Sequence, residues 1–207
     1  MLESCIAGLI TGGAQLLTNP RVRWLGCEPD MRQRIYYSNH TSHLDFVLLW
    51  SALPPRLRFR TRPVAASDYW ECAGIRRYII HQVFHGVLAY RSELEKQKSM
   101  SEMLCALDRK ESLILFPEGT RGSGDTLGQF KSGFFHLAQA RPSIELVPVW
   151  ITNSARVLPK GTFWPVPLLC SVTFGTPVHI EPNEERAGFL NRLQGHLLNL
   201  GQNEHLY

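Results

Sequence analysis

The amino-acid sequence predicts an α/β protein: one domain with a mixed, mostly parallel β-sheet flanked by helices, and an amphipathic helix at the N-terminus. Three observations carry that expectation. Short apolar runs of strand length alternate with helix-periodic stretches along most of the chain. No repeat, low-complexity tract or long linker divides the 207 residues, so residues 1–207 are expected to form a single domain. With 44% hydrophobic and 19% charged residues, the chain is neither disordered nor fibrous.

The elements follow in order. Between Cys5 and Leu17 the residues Ile6, Leu9, Ile10, Gly13 and Leu17 make one apolar stripe at helical spacing. Asn19-Pro20 closes that helix, because the residue before proline is pushed out of the α region. The helix, residues 1–19, either docks on the core or lies in a membrane interface. Arg34 to Ser38 reads as a strand leading into a polar run, and Leu44 to Leu53 as a helix stopped by Pro54-Pro55. Arg56-Leu-Arg-Phe-Arg-Thr-Arg62 alternates with period two, which predicts an extended edge with one arginine face. A helix is expected from Ser67 to Phe84, a short strand over Val87–Tyr90, and a helix opened at Ser99 by the capping-box pattern Ser99-x-x-Glu102. Ser112–Phe116, Leu146–Ile151 and Leu169–Phe174 read as strands; Phe130–Ala140 and Glu184–Leu200 read as helices.

Eight arginines stand against Glu3, Glu28, Asp30 and Asp45 in residues 1–63, and this segment holds the whole net charge of +4. Arginine suits the planar grip of phosphate or carboxylate, so an anionic partner is one expectation and a solvated basic face the other. No recognition motif supports nucleic-acid binding. Five scattered cysteines without metal-ligand spacing suggest a reducing, intracellular compartment. No stretch reaches the ~20 apolar residues of a membrane span, and no basic leader precedes the first apolar run.

The densest polar cluster is Asn39-His40-Thr41-Ser42-His43-Leu44-Asp45, at a strand-to-helix junction. In α/β proteins reactive groups gather at the carboxyl ends of strands. His40 and Asp45 can fold onto each other there, the carboxylate fixing the ring tautomer and leaving the other nitrogen as a general base. Turn and capping roles account for Asn39, Thr41 and Ser42 equally well. His40, His43 and Asp45 could instead share a metal in a metal-dependent hydrolase, although the spacing of known metallo-β-lactamase-like sites is absent. A second cluster, Phe116-Pro117-Glu118-Gly119-Thr120-Arg121, follows the most apolar strand. Gly119 permits a positive φ or close backbone approach, and Arg121 offers a fork for phosphate. A structural ion pair is the alternative reading of Glu118 and Arg121. Gly122 to Gly128 reads as a mobile polar loop.

Together the two clusters resemble the glycerolipid acyltransferase family of the lysophosphatidic acid acyltransferase type, with its His-x₄-Asp and Phe-Pro-Glu-Gly-Thr-Arg blocks. Gly86-Val-Leu-Ala-Tyr-Arg91 is similar to the family's Gly-x₄-Arg segment, with Tyr90 where aspartate is frequent. Phe130-Lys131-Ser132-Gly133, Val147-Pro148-Val149 and Val172 to Pro177 follow in the family's order. Lysines common after the first block are replaced here by Ala66-Ser67-Asp68-Tyr69-Trp70.

The resemblance implies transfer of a fatty acyl group from an acyl-CoA or acyl-carrier-protein thioester to a hydroxyl of a lysophospholipid. The default acceptor is 1-acyl-sn-glycerol-3-phosphate, giving phosphatidic acid; another lysolipid such as a lyso-ornithine lipid is the alternative. It assigns His40 as general base and Asp45 as its orienter, and Arg91, Glu118, Gly119, Thr120 and Arg121 to the acceptor. No metal or other cofactor is implied. With the N-terminal stripe, and with Tyr69-Trp70, Arg76-Arg77 and the Phe163–Leu169 run as interface candidates, the expectation is a peripheral (monotopic) protein on the cytoplasmic side of a membrane.

Overall fold

A computed structural model describes residues 2–42, 44–72, 74–90, 92–122, 126–157 and 169–203, without the side chains at 3, 4, 17, 93, 155, 156 and 203. His43, Arg91 and the Phe163–Leu168 stretch of the aromatic run lie outside the described residues.

The strands are β1 (Arg21–Trp24), β2 (Arg34–Ser38), β3 (Thr61–Ala66), β4 (Val87–Ala89), β5 (Ser112–Leu115), β6 (Glu145–Thr152) and β7 (Ser171–Phe174). They form one sheet in the order β1-β7-β6-β2-β5-β3-β4. β6, β2, β5, β3 and β4 are parallel; β7 pairs antiparallel with β6, and β1 runs alongside β7. The expectation of a mixed, mostly parallel sheet therefore holds. β2 is buried along its whole length, as a central parallel strand covered on both faces must be.

The strand pleat sorts the core into two layers. Tyr36, Ile114, Val147, Val149 and Val172 point to the face covered by α1 (Leu2–Thr18) and α2 (Asp45–Ala52). Ile35, Tyr37, Leu113 and Leu146 point to the other, covered by α6 (Glu93–Asp108), α7 (Ser132–Ala140) and α9 (Arg186–Asn203). On that second face Tyr37, Phe130, Phe134 and Phe189 meet in tilted and edge-to-face pairs. Such pairs add about 0.5–1.5 kcal/mol each beyond area burial.

Several elements differ from the sequence expectation, each for a local reason. The arginine-alternating run is not a strand. Pro55 takes the first position of a short helix, α3 (Pro55–Arg58), which turns Leu57 inward, and β3 starts only at Thr61. The helix expected over 67–84 is broken into α4 (Ser67–Trp70), α5 (Gly74–Tyr78) and a π-helical turn over Ile79–Val83. Helix α6 begins a turn and a half earlier than Ser99. Ser92 is its N-cap and bonds Glu95, while Ser99 is buried and accepts the Tyr90 N–H at 2.8 Å. Strand β1, too short and too polar to show a period, was not foreseen. A last short helix, α8 (Ser154–Val157), follows β6.

Helix α1 docks on the core through Ile6, Ala7, Ile10 and Ala14. Leu2, Leu9 and Leu16 point away from it, with 67%, 75% and 86% of their surface exposed. Among the described residues no helix is long and apolar enough to cross a membrane.

Candidate active site

The topology opens a crevice at the carboxyl end of the sheet. β2 and β5 are neighbours, yet the chain leaves β2 for α2 on one face and leaves β5 for α7 on the other. The two departing loops diverge, which is how open α/β sheets make binding sites. One loop carries Asn39 to Leu44 and the other Phe116 to Lys131, so both sequence clusters reach one place.

The first loop is held rigidly. Asn39 donates from Nδ2 to the Ile151 carbonyl and accepts the Ile151 N–H, both at 2.9 Å, so its amide extends the β2–β6 ladder. Thr41 Oγ1 lies 2.9 Å from the buried Ser154 Oγ. Asp45 opens α2, where the helix N-terminus favours a negative charge. Its carboxylate is fully buried, and Oδ2 accepts three bonds: from His40 Nδ1 at 2.9 Å, the Thr41 amide at 2.6 Å and the Ser42 amide at 2.8 Å. Because Nδ1 faces a carboxylate, the neutral ring carries its proton there and presents Nε2 as a base. The other oxygen, Oδ1, is buried with no hydrogen-bond partner among the described residues. The Thr41 and Ser42 amides are thereby committed to Asp45.

The His40 ring stacks on Phe116 with centroids 4.3 Å apart and an interplanar angle of 24°. Both line a pocket of about 310 Å³. Its apolar wall is Phe46, Val64 and Trp70; Asp68, Gly119, Thr120 and Arg121 supply polarity. Phe46 and Trp70 meet edge-to-face at 5.3 Å, and the Arg76 guanidinium covers Tyr69 at 4.5 Å. Arg121 has no ion-pair or hydrogen-bond partner among the described residues, which leaves its fork available to an anion. Gly119 has φ +70°, and its amide bonds the Phe116 carbonyl at 3.0 Å, so the turn presenting Thr120 and Arg121 needs a residue that tolerates the left-handed region.

Glu118 lies beneath the pocket rather than in it. Only 5% exposed, it accepts the His40 amide through Oε1 at 2.8 Å and the Gly128 amide through Oε2 at 2.7 Å. The Gly122 amide in turn donates to the His40 carbonyl at 2.8 Å. A Cβ on Gly128 would stand 2.7 Å from Oε2, so the carboxylate fits because that position has no side chain. The segment read as a mobile loop is therefore tied down at both ends, with residues 123–125 outside the described residues.

Cys170 is buried on the same side of the sheet as Asp45. Burial first, and the Asp45 charge second, push its thiol up to about 11, so it stays protonated and is no nucleophile near neutral pH. Among the described residues no three His, Cys, Asp or Glu side chains are grouped to hold a metal; His43, one of the proposed ligands, lies outside them.

One pocket thus gathers His40, Gly119, Thr120 and Arg121, with Asp45 directly behind the histidine and Glu118 below it. Arg91 lies outside the described residues. Asp68 and Ser154 were not foreseen as parts of the site: neither belongs to either polar cluster.

The model of the acyltransferase family matches residues 20–152, a span holding both loops. The chain belongs to that family. Two acyltransferase relatives define the distance. The 1-acyl-sn-glycerol-3-phosphate acyltransferase of Limnanthes alba is 29% identical over 164 residues, 75% of this chain and 54% of that protein. A chloroplastic 1-acyl-sn-glycerol-3-phosphate acyltransferase of Arabidopsis thaliana is 33% identical over 131 residues, 62% of this chain and 34% of that one. The chain spans about half the length of the Limnanthes relative. The crystal structure of the 1-acyl-sn-glycerophosphate acyltransferase PlsC from Thermotoga maritima shares the acyltransferase fold at a TM-score of 0.75, covering 98% of this chain and 81% of that one at 19% identity.

Proposed function

We propose that this acyltransferase moves a fatty acyl group from a thioester donor, acyl-CoA or acyl-carrier protein, to the free hydroxyl of a lysophospholipid. 1-Acyl-sn-glycerol-3-phosphate is the first-choice acceptor, with phosphatidic acid as the product. The observation that carries the reading is the His40–Asp45 pair at 2.9 Å, with His40 lining a pocket that Arg121 also lines. The relatives' names point to the same reaction.

In this mechanism Nε2 of His40 takes the hydroxyl proton as the oxygen attacks the thioester carbonyl. Asp45 stabilises the imidazolium that forms. When the tetrahedral adduct collapses, the C–S bond breaks and the imidazolium returns its proton to the departing thiolate. The acceptor's phosphate sits on Arg121, and Phe46, Val64 and Trp70 shield the reacting centre from water. We further propose a peripheral protein on the cytoplasmic side of a membrane, supported by the exposed leucine row of α1.

The test offers the purified chain a panel of lysolipids with each donor and identifies products by mass spectrometry. His40→Ala should lower transfer by ~10²–10⁴-fold with its thermal unfolding unchanged. A well-folded His40→Ala variant with wild-type activity would remove the dyad from the reaction.

A further inference from the structure

The arginines of the first 63 residues have different fates, and one of them stands out. Arg32 and Arg34 pair with Asp30 and Glu145, Arg62 pairs with Glu111, and Arg60 bonds the Lys110 carbonyl. Arg58 is half-buried and meets no carboxylate among the described residues. Its Nε donates to the Leu53 carbonyl at 2.8 Å, its guanidinium lies 5.5 Å from the centre of the Trp50 ring, and neither terminal nitrogen has a hydrogen-bond partner among the described residues. Those nitrogens are not sealed from solvent and face the grooves that Arg58 lines, where they can take an anion.

Arg58 also joins two grooves that run along the flank of α1. One, of about 510 Å³, is walled by Ala7, Gly8, Trp50, Phe59, Val83 and Phe84. The other, of about 420 Å³, is walled by Gln15, Asn19, Val22 and Ser51. None of these residues lines the His40 pocket. Leu2, Leu9 and Leu16 follow one another at seven-residue spacing, two helical turns, so they form a row along the outer side of α1. Phe59, 80% exposed, stands on the opposite lip of the larger groove. An apolar row, an aromatic lip and a phosphate-shaped donor between them match one occupant: a lipid whose headgroup is anionic and whose chains lie beside the leucines.

We propose that the groove between α1 and α3 is a second lipid site, in which Arg58 holds the phosphate of an anionic membrane phospholipid while Leu2, Leu9, Leu16 and Phe59 enter the acyl layer. This rests on the peripheral-membrane reading above and gives it a defined surface and lipid class. It does not depend on which acceptor the His40 pocket takes.

The test measures binding of the full chain to vesicles of phosphatidylcholine alone and of phosphatidylcholine mixed with phosphatidylglycerol. The wild type should prefer the mixed vesicles, and added salt should remove the preference. Arg58→Gln should weaken binding to the mixed vesicles by about five-fold and leave binding to phosphatidylcholine unchanged. Gly8→Glu provides a second variant that does not touch Arg58. A Cβ at Gly8 has no atom within 4 Å, so the change is tolerated, and its carboxylate on the groove wall should abolish the preference too. Acyl transfer to detergent-dispersed lysolipid should be the same in both variants as in the wild type. Equal binding of the wild type to both vesicle types, or an Arg58→Gln variant that keeps the preference, overturns the lipid site but not the peripheral reading; no binding to either vesicle overturns both. If inorganic phosphate stabilises the wild type but not Arg58→Gln, while vesicles compete with neither, the site serves free phosphate and the lipid assignment falls.

Discussion

The two ends of β2 each bury a charge, and they treat it in opposite ways. At the amino end Arg34 is fully buried and saturated. Its Nε donates to Glu145 at 2.8 Å, one terminal nitrogen to the Glu28 carbonyl at 2.8 Å and the other to Asp30 at 3.2 Å. Hydrogen bonding with Glu145 keeps the guanidinium charged although burial opposes it. At the carboxyl end Asp45 is equally buried, but one of its oxygens has no partner among the described residues and its histidine faces an open pocket. A saturated buried charge fixes register between strands, since every alternative pairing leaves a polar group bare. An unsaturated one beside a cavity is where charge can develop and be neutralised during a reaction. Five residues of strand separate a structural ion cluster from the candidate catalytic pair.

That contrast breaks most sharply at Asp45. Asp45→Asn keeps an oxygen for the Thr41 and Ser42 amides but presents no charge to the imidazolium. The expected result is a fall in transfer of ~10²–10⁴-fold with little change in stability, read by initial rates and thermal melts. Arg34→Met should do the reverse: a loss of about 1–3 kcal/mol in urea unfolding, because one oxygen of the buried Glu145 loses its partner and only the exposed Arg32 still pairs the carboxylate, with activity per folded molecule retained. Pairing it with Glu145→Leu should recover much of that loss.

Glu118 lies between these extremes, being saturated like Arg34 yet bonded to the His40 amide. Glu118→Gln keeps one acceptor oxygen, so kcat should fall by about ten-fold while the acceptor KM holds. Arg121→Lys should show the opposite split, raising the acceptor KM because the planar fork is lost. If Glu118→Gln raises KM instead, its carboxylate touches the acceptor and not only the catalytic turn.

The smallest effect is expected at Glu184, where hydrogen bonding from Arg192 holds the carboxyl below its usual value. A depressed carboxylate contributes stability that is fully present above its unfolded pKa, ~4.3, and is lost as pH falls through the lower folded value. Glu184→Gln should therefore flatten the acid limb of stability against pH by no more than about 1 kcal/mol, and leave the site unaffected.

Much of this was legible in the chain. Strand and helix periods are local properties, so β2, β5, β6, α7 and α9 could be placed from their own residues. The His40–Asp45 contact was legible too, because a turn of a few residues has few ways to close. The arginine run was misread because alternation of side chains cannot register a proline pair that starts a helix. The capping box was misplaced because Ser92-x-x-Glu95 and Ser99-x-x-Glu102 are locally equivalent, and only the Tyr90 amide, at the end of β4, claims Ser99.

By itself, then, the sequence determined the α/β class, the two polar clusters and the chemistry their side chains can offer. Only the tertiary structure decided that the clusters share one crevice, that Glu118 points beneath the pocket while Arg121 lines it, and that Arg58, unlike Arg32, Arg34 and Arg62, meets no acid among the described residues. Which partner a side chain finds depends on strand order and on which face each connection takes. Those are set by packing between residues up to a hundred or more positions apart, as between Arg34 and Glu145, and no local window holds both ends of such a contact.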